Sequence, residues 1–357
     1  MTPSLTQERV LQALAQVKDP ELGRDLVSLG MIKDLAISGG TVSFTLVLTT
    51  PACPLKDRIE QDVRDALRPL PGVEQINLTW AAMVRQSPGL GAAGLTGIKN
   101  VVAVGSGKGG VGKTTVSVNL AVALARDGAR VGLLDADIYG PNVPLMLGVR
   151  QLPPLQGDKL VPATAHGIAV MSMGFLLKDD EAVVWRGPML HGAIQKFLRE
   201  VLWGELDYLI VDLPPGTGDV QLTLSQSIPL TGAVIVTTPQ DVALLDVKKA
   251  ISMFHKVNVP ILGLVENMST FICPSCRTET AIFRRGGGRA AAEAMQTPLL
   301  GEIPLVPSVC EAGDRGTPIV VAAPTSPVAQ AFVQMARQVA ARVSVLSAQA
   351  TPQFVGL

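Results

Sequence analysis

At 357 residues the chain exceeds one small domain and sets an expectation of two, at least one with a full-sized core, which the 47% apolar content supports. The 30 basic residues balance 30 acidic ones, which excludes a global field drawing the chain to nucleic acid or anionic lipid. The start lacks a basic stretch followed by an apolar core, and no later run is long and apolar enough to span a bilayer. The expected setting is the cytoplasm, with no nucleic-acid and no membrane partner.

In chain order, Ser4 and Gln7 have the spacing of a capping box ahead of a stripe at Val10, Leu11, Leu14 and Val17, which predicts a helix. Gly39-Gly40 then joins two apolar runs, and Val42, Phe44, Leu46 and Leu48 alternate with mostly polar neighbours, the pattern of a hairpin with one buried face. Pro54 opens a second helix with Leu55, Ile59, Val63 and Leu67 inward, and Pro69 to Gly72 end it before a strand through Val73, Ile76 and Leu78. These elements predict a small N-terminal α+β domain over residues 1–80.

Residues 81–97 are expected to form a flexible linker, because Ser87-Pro88-Gly89-Leu90-Gly91-Ala92-Ala93-Gly94-Leu95-Thr96-Gly97 is rich in glycine. Apolar runs at 101–104, 131–134, 209–211, 233–236 and 261–265 follow, alternating with helical stretches. That pattern predicts a second, α/β domain over residues 98–345, a mostly parallel sheet covered by helices. Residues 346–357 are expected to be a loose tail.

The strongest chemical signal is Gly107-Lys108-Gly109-Gly110-Val111-Gly112-Lys113-Thr114-Thr115, which follows an apolar run and opens a helical one. It is a phosphate loop of the deviant Walker A kind. Its glycines let backbone N–H groups turn toward a β-phosphate, Lys113 neutralises β and γ oxygens, and the Thr114 hydroxyl binds magnesium. Lys108 is an extra cation at the mouth, read either as a solvated loop lysine or as a charge reaching a second molecule's nucleotide, as an arginine finger does.

Asp135 and Asp137 close the next apolar run, where carboxylates face the ligand crevice of a parallel sheet. One can hold an attacking water while the other supports the magnesium shell. Leu209-Ile210-Val211-Asp212 has the Walker B form and makes Asp212 a magnesium-side residue. The following Pro214-Pro215-Gly216-Thr217-Gly218 segment is either a switch or a rigid turn. Asn267, just after 261–265, is a candidate for the base, and without an Asn-Lys-x-Asp sequence the expected nucleotide is ATP.

Of four cysteines, Cys53 precedes a predicted helix start, a position that suits either a reactive thiol or a buried structural one. Cys310 has no cysteine or histidine close to it in sequence and is expected to be inert. Cys273-Pro274-Ser275-Cys276 offers two thiolates where zinc or an iron–sulfur cluster takes four ligands, so a two-fold homodimer would complete the set. A zinc knot across such a dimer, a thioredoxin-like dithiol and an incidental turn are the competing readings.

The ordered series 107–115, 135–142, Trp185-Arg186-Gly187-Pro188-Met189, 212–219, Thr237-Thr238-Pro239-Gln240-Asp241, Glu266-Asn267-Met268-Ser269 and 273–276 resembles the Mrp-type (ApbC-like) iron–sulfur cluster carrier ATPases. Residues 1–80 resemble the metal–sulfur cluster biosynthesis family, with Asp19-Pro20-Glu21 and the Cys53 segment where that family carries its motif. The resemblance implies an ATP-hydrolysing homodimer that uses Mg2+, holds a labile [4Fe–4S] cluster on Cys273 and Cys276, and works with cluster assembly factors and recipient apoproteins. It also implies Lys108 as the lysine acting between subunits, Asp137 as the water-positioning residue, and no cysteine near Cys310. A nucleotide-switched positioning or scaffold ATPase with structural zinc is the alternative.

Overall fold

The computed structural model describes residues 5–91, 93–176, 187–276 and 278–349. The chain divides into two compact units, one formed by residues up to Arg85 with those from Ser344 onward, the other spanning Gln86–Val343. Among the described residues no helix is long and apolar enough to cross a membrane.

In the first unit, helix α1 (Gln7–Leu14) starts at Thr6, whose hydroxyl accepts the Arg9 N–H at 3.4 Å. Ser4, the expected cap, lies outside the described residues. Strands β1 (Ile32–Ser38) and β2 (Thr41–Leu48) form the expected hairpin, and both turn glycines, Gly39 and Gly40, take positive φ. Helix α2 (Lys56–Leu67) then crosses over to β3 (Gln75–Ala82), which pairs parallel with β2. Alternation along β2 buries Val42, Phe44, Leu46 and Leu48 against Val10 and Leu14 of α1 and Ile59, Val63 and Leu67 of α2.

The second unit runs β4 (Val101–Ser106), α3 (Lys113–Arg126), β5 (Val131–Asp135), α4 (Val143–Met146), β6 (Ala163–Ala165), β7 (Ile168–Ser172) and α5 (Gly187–Glu200). It continues β8 (Tyr208–Asp212), α6 (Asp219–Ser227), β9 (Gly232–Thr237), α7 (Asp241–Lys256), β10 (Ile261–Ile272), β11 (Glu279–Thr280) and α8 (Gly287–Ala294). It ends β12 (Leu299–Leu305), α9 (Pro307–Asp314), α10 (Ile319–Ala322) and α11 (Pro327–Gln349), the last helix belonging to this unit through Val343. Nine strands make one sheet in the order β11-β10-β9-β4-β8-β5-β7-β6, with β12 also on β10. Only the short β6 and β11 pair antiparallel; all the other pairings are parallel. Strands β4, β5, β8 and β9 are buried along their whole length, as expected of strands covered on both faces.

Two expectations are corrected. In the stretch read as a flexible linker, Leu90 and Leu95 are only 2% and 3% exposed within the second unit's core. The Ser87 hydroxyl also donates to Asn100 Oδ1 at 2.7 Å. Burying two leucine side chains is worth about 1.5–3 kcal/mol each, enough to pin a glycine-rich segment that composition alone leaves free. At the other end, α11 continues through Gln349 with Ser347 buried, so 346–349 are helical rather than loose, and 350–357 lie outside the described residues.

Candidate functional site

The connection out of β4 runs toward β5, whereas that out of its neighbour β8 runs back across β4 to β9, and this reversal opens a crevice at the carboxyl ends of the two strands. The phosphate loop fills that crevice and runs directly into α3, whose cap, Gly112, has φ 80°. Two of its glycines are dictated by their surroundings: a Cβ on Gly107 would strike the backbone of Asp246 on α7, and one on Gly112 would strike the Asn267 amide. A cavity of about 370 Å³ opens over the loop, lined by Lys113, Thr114, Asp137 and Asn142 and by residues of α4 and α9.

Lys113 is 6% exposed, and its Nζ is 2.9 Å from Asp212 Oδ2 and 3.5 Å from Asp137 Oδ2. Burial alone would lower its pKa, but the Asp212 and Asp137 carboxylates outweigh that and hold the ammonium above the usual lysine range. Asp212 at the end of β8 is fully buried; Thr114 Oγ1 donates to its Oδ2 at 2.7 Å and Ser117 Oγ to its Oδ1 at 2.6 Å. One turn of α3 thus brackets the carboxylate with two hydroxyls. Sequence reading missed Ser117, although its place three residues after Thr114 puts it on the same helix face.

Asp135 is also fully buried. Its Oδ2 accepts Ser172 Oγ at 2.9 Å and the Val143 N–H at 3.2 Å, and its Oδ1 accepts the Asp137 N–H at 3.2 Å. Burial, and then the Asp212 charge, push this carboxyl well above the usual range. The magnesium-shell expectation for Asp135 meets a group whose oxygens already anchor the turn that presents Asp137. Ser172, on β7, came from a strand that no motif marks. Asp137 itself accepts the Tyr139 and Gly140 N–H groups at 3.2 and 3.4 Å, and its Oδ2 faces Lys113; burial raises its pKa.

Lys108 lines the same cavity, while its carbonyl accepts the Ser106 hydroxyl at 2.9 Å. Asn267 on β10 was expected at the base, but its Nδ2 donates to the Val111 carbonyl of the phosphate loop at 2.9 Å, so that face of the amide buttresses the loop. The Trp185-Arg186 pair lies outside the described residues.

Further along β10, Cys273 and Cys276 sit on the hairpin to β11, held by the Cys273 N–H donating to the Thr278 carbonyl at 3.1 Å. Cys273 is half-buried and Cys276 exposed. Cys276 Sγ is 3.2 Å from Thr278 Oγ1, and hydrogen bonds from Thr278, with a smaller contribution from Cys273, push the Cys276 thiol down to about 7. Among the described residues no group of three or more His, Cys, Asp or Glu side chains converges as a metal site; the hairpin supplies two thiols.

In the first unit, Cys53 is half-buried against the core, three residues ahead of α2. Asp19 Oδ1 accepts the Glu21 and Leu22 N–H groups at 2.9 and 2.8 Å, and burial and then Asp19 push Glu21 up to about 7.

A strand–glycine loop–helix at the switch point of a parallel sheet, with a buried lysine and a strand-end aspartate, defines a P-loop nucleoside triphosphatase. Residues 97–340 match the family described as NUBPL iron-transfer P-loop NTPase, and residues 7–78 match that described as iron-sulfur cluster assembly protein. The chain therefore belongs to the iron-transfer P-loop NTPases. It is 54% identical over 349 residues to the iron-sulfur cluster carrier protein of Synechocystis sp., covering 95% of this chain and 98% of that one. Among solved structures, a nucleotide-binding protein in complex with ADP from Archaeoglobus fulgidus is 42% identical, with TM-score 0.56 over 62% of this chain and 88% of that one. The Pyrococcus furiosus cell division ATPase MinD is 28% identical, with TM-score 0.52 over 67% and 98%.

Proposed function

We propose that the protein hydrolyses ATP as a homodimer and carries a labile [4Fe–4S] cluster on the cysteine pairs of both subunits, for delivery to apoproteins. The observation that carries this reading is the placement of Cys273 and Cys276 together on an exposed hairpin of the strand that also buttresses the phosphate loop through Asn267. The name of the Synechocystis relative supports the cargo, and the ADP of the Archaeoglobus neighbour supports the nucleotide.

The loop fits a magnesium ion. The Thr114 hydroxyl and Asp212 carboxylate are hard oxygen donors 2.7 Å apart, and Asp135, Asp137 and Asp212 face a single ammonium, Lys113. When bound, magnesium would neutralise charge on the phosphate oxygens. Lys113 exchanges its carboxylate contacts for the β and γ oxygens, with backbone N–H groups of the loop alongside. Asp137, anchored from below by Asp135, orients a water for attack on the γ-phosphorus and accepts its proton as the bond to the β-phosphate oxygen breaks and ADP leaves. Burial raises the pKa of Asp137 and so favours that acceptance. Lys108 at the mouth reaches the nucleotide of the other subunit.

The two thiolates of each hairpin supply half of the ligand set, and a two-fold axis brings the halves together. Because β10 holds Asn267 and runs into the hairpin that carries Cys273, a phosphate loop that moves with the nucleotide pulls on the strand that leads to the cargo.

Anaerobic reconstitution with iron and sulfide, followed by absorption spectroscopy and iron counting, tests the reading. About one cluster per two chains is expected. One tightly held zinc and no reconstituted cluster would overturn it in favour of a nucleotide-switched scaffold ATPase, as would equal cluster formation in a Cys273→Ser/Cys276→Ser double variant.

A further inference from the structure

Adjacent residues of β10 tie it to two different elements. Asn267 Nδ2 donates to the Val111 carbonyl of the phosphate loop at 2.9 Å, while the Glu266 side chain, 1% exposed, alternates to the other face and accepts the Gly288 N–H in the first turn of α8. The N-cap of α8 is Gly286, at φ 73°, which has no side chain to bond the free N–H groups of the turn. Glu266 takes that place from the neighbouring strand, with its carboxylate against the positive end of the helix. The approach is close on both sides: a Cβ on Gly288 would lie 2.8 Å from Glu266 Cβ and Oε2, and one on Gly287 would strike the Pro239 carbonyl beyond β9. Arg289, in the same turn, pairs with Glu302 of β12 at 2.8 Å, a more exposed tie that salt screens.

Beyond Asn267 the strand is interrupted. Met268 has φ 55°, in the left-handed region that residues other than glycine seldom occupy, and the register with β12 breaks between Asn267 and Phe271. The ladder resumes where Phe271 and Ile272 pair with β11, next to Cys273. A displacement at Asn267 therefore does not run straight along β10 into the hairpin. The return limb gives a way round the break: β11 ends at Thr280 and α8 begins at Gly287, so residues 281–286 join the hairpin to the helix that Glu266 holds. We propose that Glu266 is the positioning residue that carries nucleotide state from the phosphate loop to the cysteine hairpin, by making α8 and the return limb move with β10. The inference rests on the reading that the hairpin answers to the nucleotide, and it names the contact that transmits the answer.

The test reads the hairpin directly in the full-length protein, reduced and before cluster loading. Pulses of N-ethylmaleimide followed by peptide mass spectrometry give the labelling rates of Cys273 and Cys276, first with saturating Mg·ADP and then with a non-hydrolysable Mg·ATP analogue. In the wild type the rates in the two nucleotide states should differ by about fivefold or more. Glu266→Ala should bring them within about twofold of each other while ADP affinity stays within about twofold of wild type, because the phosphate loop and Asn267 are untouched. Glu266→Gln keeps an oxygen for the Gly288 N–H and should keep the wild-type ratio. Gly288→Ala, which drives a methyl against Glu266, should lose the ratio from the helix side, and it decides the matter where Glu266→Ala lowers the thermal transition. A Glu266→Ala or Gly288→Ala protein that keeps the wild-type ratio overturns this inference alone. Equal rates in the wild type overturn it together with the coupling of nucleotide to hairpin, whereas the cargo itself is read separately by reconstitution.

Discussion

The phosphate loop and the cysteine hairpin lie along a common sheet and are built on opposite plans. Around the loop, Asp212 is fully buried, and Lys113, Thr114 and Ser117 all bond it within 2.9 Å. At the hairpin, Cys276 is exposed and is tied to its own turn through Thr278. A buried ion cluster costs several kcal/mol per charge unless its partners are fixed in advance, so the loop must be complete within one chain. The hairpin, with Cys276 exposed and Cys273 half-buried, bears no such penalty. The difference separates a site whose partners are fixed in advance from one that is left open.

Removing the loop's buried cation should give the largest effect. Lys113→Ala is expected to lower ATP hydrolysis by roughly a thousandfold or more, because three carboxylates then face the phosphates uncompensated. Near-normal turnover in a phosphate-release assay would remove the loop from the chemistry. At the hairpin, Cys273→Ser or Cys276→Ser alone should abolish the reconstituted cluster absorbance while equilibrium dialysis finds ADP affinity within about twofold of wild type, since the half-sites are separate. Joint loss of both properties would mean that the two regions are one site.

A smaller effect is expected at Ser117. Its hydrogen bond to a charged carboxylate is worth about 1.5–3 kcal/mol, part of which is recovered by relaxation, so Ser117→Ala should raise the magnesium needed for half-maximal hydrolysis about tenfold. The KM for ATP at saturating magnesium should change less, and an unchanged magnesium dependence would reduce Ser117 to a packing residue. The smallest effect concerns pH at the hairpin. With the Cys276 thiol held down at about 7, its alkylation rate should rise to half its maximum near pH 7, and Thr278→Val should move that midpoint upward. A wild-type midpoint at the ordinary cysteine value would show that the Thr278 contact does not persist in solution.

Much of this was legible in the chain itself. The glycines of the loop, the strand-end Asp212 and the paired cysteines announce their chemistry through residue type and spacing, and the period of the apolar residues separates the α+β unit from the parallel sheet. What failed did so for one reason. Glycine content predicts a free linker only when nothing nearby competes for its side chains, and Leu90 and Leu95 found a core 2–3% exposed. Asn267, the candidate for the base, also donates to the Val111 carbonyl at 2.9 Å, a contact that its place in the sequence does not announce.

The sequence by itself determined the phosphate-binding loop, the strand-end aspartate and the two sulfurs of the hairpin, because each is a local pattern whose chemistry is carried by neighbours in the chain. Only the tertiary structure decided that Asp135 anchors the turn to Asp137 through Ser172, that Ser117 brackets Asp212, and that Glu266 holds the first turn of α8. Ser172 lies 37 residues from its partner and Ser117 lies 95 from its own. Contacts at that separation are set by which strands become neighbours in the sheet and which helix closes the crevice, and no spacing rule within the chain encodes them.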